Sequence, residues 1–444
     1  MIQRLSSGNK VFLTTTKPLE NVGRKHLFTT HRQRTLRRKK ELFVLIVFCI
    51  STVVLVSNIV NFKVVANVDG DPKNHEENDS IRVKQTNQIT KSKQMRQRIC
   101  ILAGPHKTGT SSIQTNLYRW SKETVKFADA KFQPLPKPIV SWIWPVPLKI
   151  AEVEHSDTKA WEWTPSKVFY PMMEVLRDDK RTLNTERTLY QKFTPKEILG
   201  MYRETINTYW QKGYDIAIGS EAMDIVVKVP EGPSMIRNMS AHVLPDSIDG
   251  DQVTVVVVYR TPKIKHLISM WHQNCNKPTS DNKFYQWITT TDNTLGALDA
   301  LGMVDMFLNE TDWNVALIDL DRVTQDGYDI SNFVACRVMG EECQGKRLNG
   351  LNGSDPIITN VRSDKRPPNV SNQTLDEMDI VLQNFDCNYQ HILGGNNERL
   401  KIFYPEGMLE TLNACEAMVE RYPRSRDEMR QQINDIAVKY GVLW

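Results

Sequence analysis

The sequence predicts an α/β domain built on a central parallel sheet and preceded by one transmembrane helix. Three observations carry that expectation. Beyond Arg98, short apolar runs alternate with stretches of helical period, the pattern of strands joined by crossover helices. A turn bracketed by Gly104 and Gly109 follows the first apolar run directly. Ahead of both stands Leu42 to Val60, nineteen residues without a charge.

The N-terminal elements come first. Residues Met1 to Glu41 hold eleven Lys/Arg against Glu20 and Glu41, a balance of +9 in a chain of net charge +5, which leaves the remainder at −4. Nucleic acid is therefore not an expected partner of the main domain. Leu42 to Val60 is long enough to cross a lipid bilayer as a helix, and Arg37-Arg38-Lys39-Lys40 just before it places the N-terminus in the cytosol. The long basic preface and the lack of a small-x-small site near Ala66 favour an uncleaved anchor over a signal peptide. Residues 63–97 are polar and bury too little to fold, so they read as a stem. The expected organisation is a cytosolic tail at 1–41, a signal anchor at 42–62, a lumenal stem at 63–97 and a globular domain at 98–444.

Six N-glycosylation acceptors, Asn78, Asn238, Asn309, Asn352, Asn369 and Asn372, all follow the span and agree with a lumenal domain. Seven cysteines agree as well. Cys49 lies in the span and Cys100 on the first strand, where a buried thiol is expected. Cys275, Cys336, Cys343, Cys387 and Cys415 are available to form disulfides in an oxidising lumen, with no pairing assigned by the sequence. No Cys/His spacing points to zinc, and no metal is expected.

Within the domain, Ile99-Cys100-Ile101-Leu102-Ala103 is the first strand and Thr110 begins a helix. Phe132 to Trp163, rich in Trp and Pro, fits neither period and reads as an insertion. Pro195 to Gln211 carries Ile198, Tyr202, Ile206 and Trp210 at intervals of four, a helical stripe facing a core. Strands are expected at Tyr214 to Gly219, Thr254 to Tyr259 and Asn314 to Leu320. Helices are expected at Lys263 to Cys275, near Ile330 to Met339, at Leu375 to Phe385 and at Met408 to Arg421.

The strand–turn–helix from Ile99 to Leu117 has the build of an anion cradle. Glycines permit a tight turn and a close backbone approach, and the N–H groups opening the helix favour a phosphate or sulfate. Gly104 and Gly109 have the spacing of a nucleotide-binding P-loop, and the alternation of strands and helices argues for a parallel sheet covered on both faces, so the expected fold is a P-loop-like three-layer sandwich. The lysine is displaced: Thr110 follows the second glycine, and Lys107 lies inside the turn. The most apolar strand, Thr254 to Tyr259, runs into Arg260, which suits a second phosphate and cannot hold a metal. Lys107, Glu221 and Arg260 each closely follow an expected strand, so all three are candidates for one crevice at the carboxyl edge of the sheet.

His106-Lys107-Thr108-Gly109-Thr110-Ser111-Ser112 resembles the 5′-phosphosulfate loop of sulfotransferases that use 3′-phosphoadenosine 5′-phosphosulfate (PAPS). Val255 to Gln273 is similar to their 3′-phosphate element: a buried strand ending in arginine, a proline turn and a helix carrying a serine. The resemblance implies that Lys107 stabilises the leaving phosphate oxygen, while His106, Thr108, Gly109, Thr110 and Ser111 form the 5′-phosphate loop. It implies that Arg260 and Ser269 take the 3′-phosphate. Nine residues separate those two, one more than the usual pattern, so Arg260 is the firmer carry-over. Similar enzymes use glutamate or histidine as base. Glu221 is the first candidate, His272 the second and His106 the third. The implied function is a type II Golgi membrane sulfotransferase acting on a hydroxyl of a glycan or glycoconjugate, with a nucleotide-dependent kinase or an inactive single-pass glycoprotein as alternatives.

Overall fold

The computed structural model describes residues 97–105, 108–121, 139–156, 168–177, 187–274, 284–285, 287–288, 295–296, 298–351, 356, 367, 370–406, 408, 415 and 422–441. The tail, the expected span and most of the stem lie outside these residues. So do His106, Lys107, Cys275 and most of Met408 to Arg421. Among the described residues no helix is long and apolar enough to cross a membrane.

Eight strands are seen among the described residues: β1 (Ile99–Gly104), β2 (Trp142–Ile143), β3 (Asp215–Gly219), β4 (Val253–Tyr259), β5 (Asn314–Asp319), β6 (Cys343–Gln344), β7 (Arg347–Leu348) and β8 (Leu400–Phe403). Six make one sheet in the order β2-β3-β1-β4-β5-β8, and every neighbouring pair is parallel. β6 and β7 form a small antiparallel hairpin. β1 is buried along its whole length and β4 along all but Thr254. That is why their sequences are continuous apolar runs with no alternation, and β-branched valines suit the pleated surface of β4.

The helix Pro195–Gln211 forms where its period places it. Thr194 and Glu197 make a reciprocal capping box, proline occupies the first turn, and Ile198, Tyr202, Ile206 and Trp210 are buried. The helix Lys263–Asn274 likewise follows β4. The expected helix near Ile330 to Met339 divides into an α-helical turn, Ile330–Phe333, and a π-helical stretch, Val334–Val338.

Phe132 to Trp163 is not an insertion where it is described. Trp142 and Ile143 pair with Asp215 and Ile216 as the sheet's outer strand, and Trp142 and Trp144 are completely buried. A strand of two residues beside Pro145 and Pro147 is too short to display a period. The helices Ala300–Glu310 and Arg426–Lys439 and the strand β8 are further elements that the sequence reading did not place.

The main core surrounds the sheet, and the Ala300 helix packs on β4 and β5. A second cluster joins the helices Lys263–Asn274, Asn372–Asn384 and Arg426–Lys439 through Leu267, Trp271, Met378 and Ile433. Among the described residues two disulfides are formed, Cys336–Cys343 and Cys387–Cys415. Cys100 is a buried free thiol.

Candidate functional site

The strand order decides where a ligand can sit. From β1 the chain proceeds to β2 and β3 on one side; from β4 it proceeds to β5 and β8 on the other. The connections therefore diverge between β1 and β4, which makes the carboxyl edge there a topological switch point, the usual crevice of an open parallel sheet. The ends of β3, β1 and β4 are consecutive along this edge. At the ordinary strand separation the three span about 10 Å.

At the centre, β1 ends at Gly104 with φ 111° and is followed by Pro105, and the described chain continues at Thr108 and Gly109. The Thr108 hydroxyl is buried and donates to the Pro105 carbonyl at 2.5 Å, closing the turn from within. Gly109 has φ 80° at the N-cap of the helix Thr110–Trp120, a left-handed conformation that side chains resist. A Cβ there would also stand 3.3 Å from Ile330 Cγ2. Among the described residues no side-chain cap is seen on this helix, and its first turn contains no acid. The helix start thus keeps the character of an anion seat. Thr110 and Ser112 are buried and Ser111 is half-buried; farther along, the Asn116 amide donates to the Ser331 hydroxyl at 2.9 Å and ties the helix to its neighbour.

On one flank, β3 approaches β1 so closely at Gly219 that a Cβ would lie 2.7 Å from Leu102 Cβ. Gln114 is fully buried beside it, and its amide has no hydrogen-bond partner among the described residues. Ser220 then caps the 3-10 helix Glu221–Val227, its hydroxyl accepting from the Ala222 N–H at 3.1 Å. Glu221 is the first residue of that helix, and its side chain lies outside what is described.

On the other flank, Arg260 follows β4 immediately. Its Nε donates to Asp321 Oδ2 and its Nη2 to Asp321 Oδ1, both at 3.2 Å, a side-on bidentate pair with each side chain 13% exposed. Asp321 stands in the short helix Leu320–Gln325 that follows β5. Asp319 caps that helix, accepting from the N–H groups of Asp321 at 3.0 Å and Arg322 at 3.3 Å, and takes a third hydrogen bond from the Thr261 hydroxyl at 2.5 Å. Burial raises the Asp319 carboxyl above the ordinary range. The tips of β4 and β5 are thereby laced together twice.

Ser269 and His272 lie farther along the Lys263 helix, roughly 9 Å and 14 Å from its first residue at the ordinary rise. Ser269 is half-buried, and the His272 ring rests against Trp271 with centroids 4.6 Å apart. The start of this helix is taken up by protein partners. Lys263 is buried against Asp386, which also accepts from the Tyr259 hydroxyl at 2.6 Å, and the Ile264 N–H donates to Asp379 at 2.7 Å. The described structure therefore brings Thr108, Gly109, Thr110 and Ser111 together at one turn, with Arg260 and the backbone of Glu221 at the neighbouring strand ends. His106 and Lys107 lie outside the described residues. Asp319, Asp321 and Thr261 were not singled out in the sequence. An aspartate closing an apolar run and opening a helix is the signal that marks Asp319 as a cap. Comparison with protein-family models, with curated proteins and with solved structures finds no match.

Proposed function

We propose that this chain is a PAPS-dependent sulfotransferase with a P-loop-like three-layer core, carried into the Golgi lumen by its single N-terminal span. The observation that supports this reading is the pairing of a glycine-led helix start after β1, capped by no described side chain, with an arginine closing the adjacent strand β4. The helix start suits the 5′-phosphate of the donor, and Arg260 suits the 3′-phosphate that separates PAPS from ATP.

In this reading the acceptor hydroxyl oxygen attacks sulfur in line, and the bond from sulfur to the 5′-phosphate oxygen breaks. The leaving group is adenosine 3′,5′-bisphosphate. Lys107 stabilises the charge that develops on the departing oxygen, and Glu221 takes the proton of the attacking hydroxyl. The acceptor is a glycan or glycoconjugate. Calorimetric titration of the full-length chain in detergent tests donor recognition. Adenosine 3′,5′-bisphosphate should bind, and Arg260→Ala should weaken it by at least about tenfold, a loss of about 1.4 kcal/mol. Preference for magnesium-ATP, or an affinity indifferent to Arg260→Ala, contradicts the reading.

A further inference from the structure

Arg260 presents its Nε and Nη2 hydrogens to the two carboxylate oxygens of Asp321. That edge of a guanidinium is one that also accepts a phosphate bidentately. We propose that Asp321 is a resident counter-ion that a phosphate on the nucleotide's ribose displaces from Arg260, and so sets how strongly the site distinguishes bisphosphate from monophosphate nucleotides. The proposal rests on the sulfotransferase reading of Arg260.

Three features support exchange over a fixed strut. First, Asp321 is not needed to hold its own helix, because Asp319 already caps the Leu320 turn and accepts from the Asp321 N–H. Second, the β4 and β5 tips keep their second link, Thr261 to Asp319, when the Arg260 pair opens. Third, both partners retain some exposure, so water can reach a carboxylate that is released, whereas Lys263 and Asp386 nearby are 4% and 1% exposed and have no such route. A phosphate arriving at Arg260 while Asp321 stays in place sets two anions on one cation. Rotation of Asp321 into solvent removes that repulsion, and the cost of the rotation falls only on ligands that use Arg260.

Asp321→Asn retains the shape and one acceptor but removes the competing charge. With the full-length chain, titration with adenosine 3′,5′-bisphosphate should show binding about tenfold tighter than the parent, while adenosine 5′-monophosphate binds unchanged. Asp321→Ser serves as a second variant and should shift the ratio of the two affinities in the same direction, with circular dichroism confirming the fold of both. A purely structural role predicts equal changes for the two nucleotides. Unchanged or weaker bisphosphate binding in both variants overturns the counter-ion role. If Arg260→Ala in parallel leaves the parent's bisphosphate preference intact, the assignment of Arg260 itself falls, and the two failures are thereby distinguished.

Discussion

At the residue scale, the site depends on small groups held in conformations that other side chains refuse. Gly109 sits at φ 80° with Ile330 3.3 Å from where its Cβ would be. Gly109→Ala should therefore cost about 1–2 kcal/mol for the left-handed backbone alone and should also reduce nucleotide affinity, because the first-turn N–H groups move. A thermal melt alongside a bisphosphate titration checks both, and a variant with parental values in each would remove Gly109 from the cradle. Cys100 provides a second case. Burial pushes its thiol up to about 12, whereas the unfolded chain ionises it near 9.0. A raised acid of this kind stabilises the fold fully below pH 9.0, and that contribution fades as pH climbs towards 12, with a slope of about 1.4 kcal/mol per unit. Cys100→Ala should therefore lose less stability than the parent between pH 9 and pH 11 in urea unfolding. Gly109 and Cys100 were both legible in the sequence, one from its place before a helix and the other from its place inside an apolar run. Asp321 was not, because its partner Arg260 is 61 positions away and no local pattern links them.

At the element scale, helix starts are used in two opposite ways. The Thr110 helix has no side-chain cap among the described residues, while the Lys263 helix has its second N–H bonded to Asp379 and its first residue buried on Asp386. The former is suited to an incoming anion; the latter is a structural joint. Removing one member of the buried pair leaves an uncompensated charge, so Asp386→Asn should cost about 3–5 kcal/mol, read as a large drop in the urea midpoint. A loss below 1 kcal/mol would show that the pair is not carrying the joint. The helix from Pro195 was visible in the sequence through its stripe at intervals of four, and β4 through its valines; the Thr194–Glu197 capping box emerged with the structure. The strand β2 was hidden because two residues show no period, and the Asp386 joint was hidden because 123 positions separate it from Lys263.

For the whole molecule, the alternation of strand and helix was enough to anticipate a parallel sheet. The strand order, which puts β1 between β3 and β4, was not encoded in any local feature. It arises from which buried faces match after the chain has collapsed, and it is what sets the three strand ends side by side. The C-terminal part is closed by Cys387–Cys415 across 28 positions. Opening that loop in the unfolded chain is worth about 3–4 kcal/mol, so Cys387→Ser with Cys415→Ser should lower the urea midpoint accordingly while leaving nucleotide binding in place; loss of binding without loss of stability would contradict a purely structural bridge. Sulfuryl transfer at the β1–β4 crevice is read out by following sulfur-labelled PAPS incubated with the full-length chain and a glycan panel. Label should appear on an acceptor sugar with matching release of adenosine 3′,5′-bisphosphate, and turnover should fall about a hundredfold or more in Lys107→Ala. Equal turnover in that variant, or no transfer to any acceptor despite bound donor, would contradict sulfuryl transfer at this crevice.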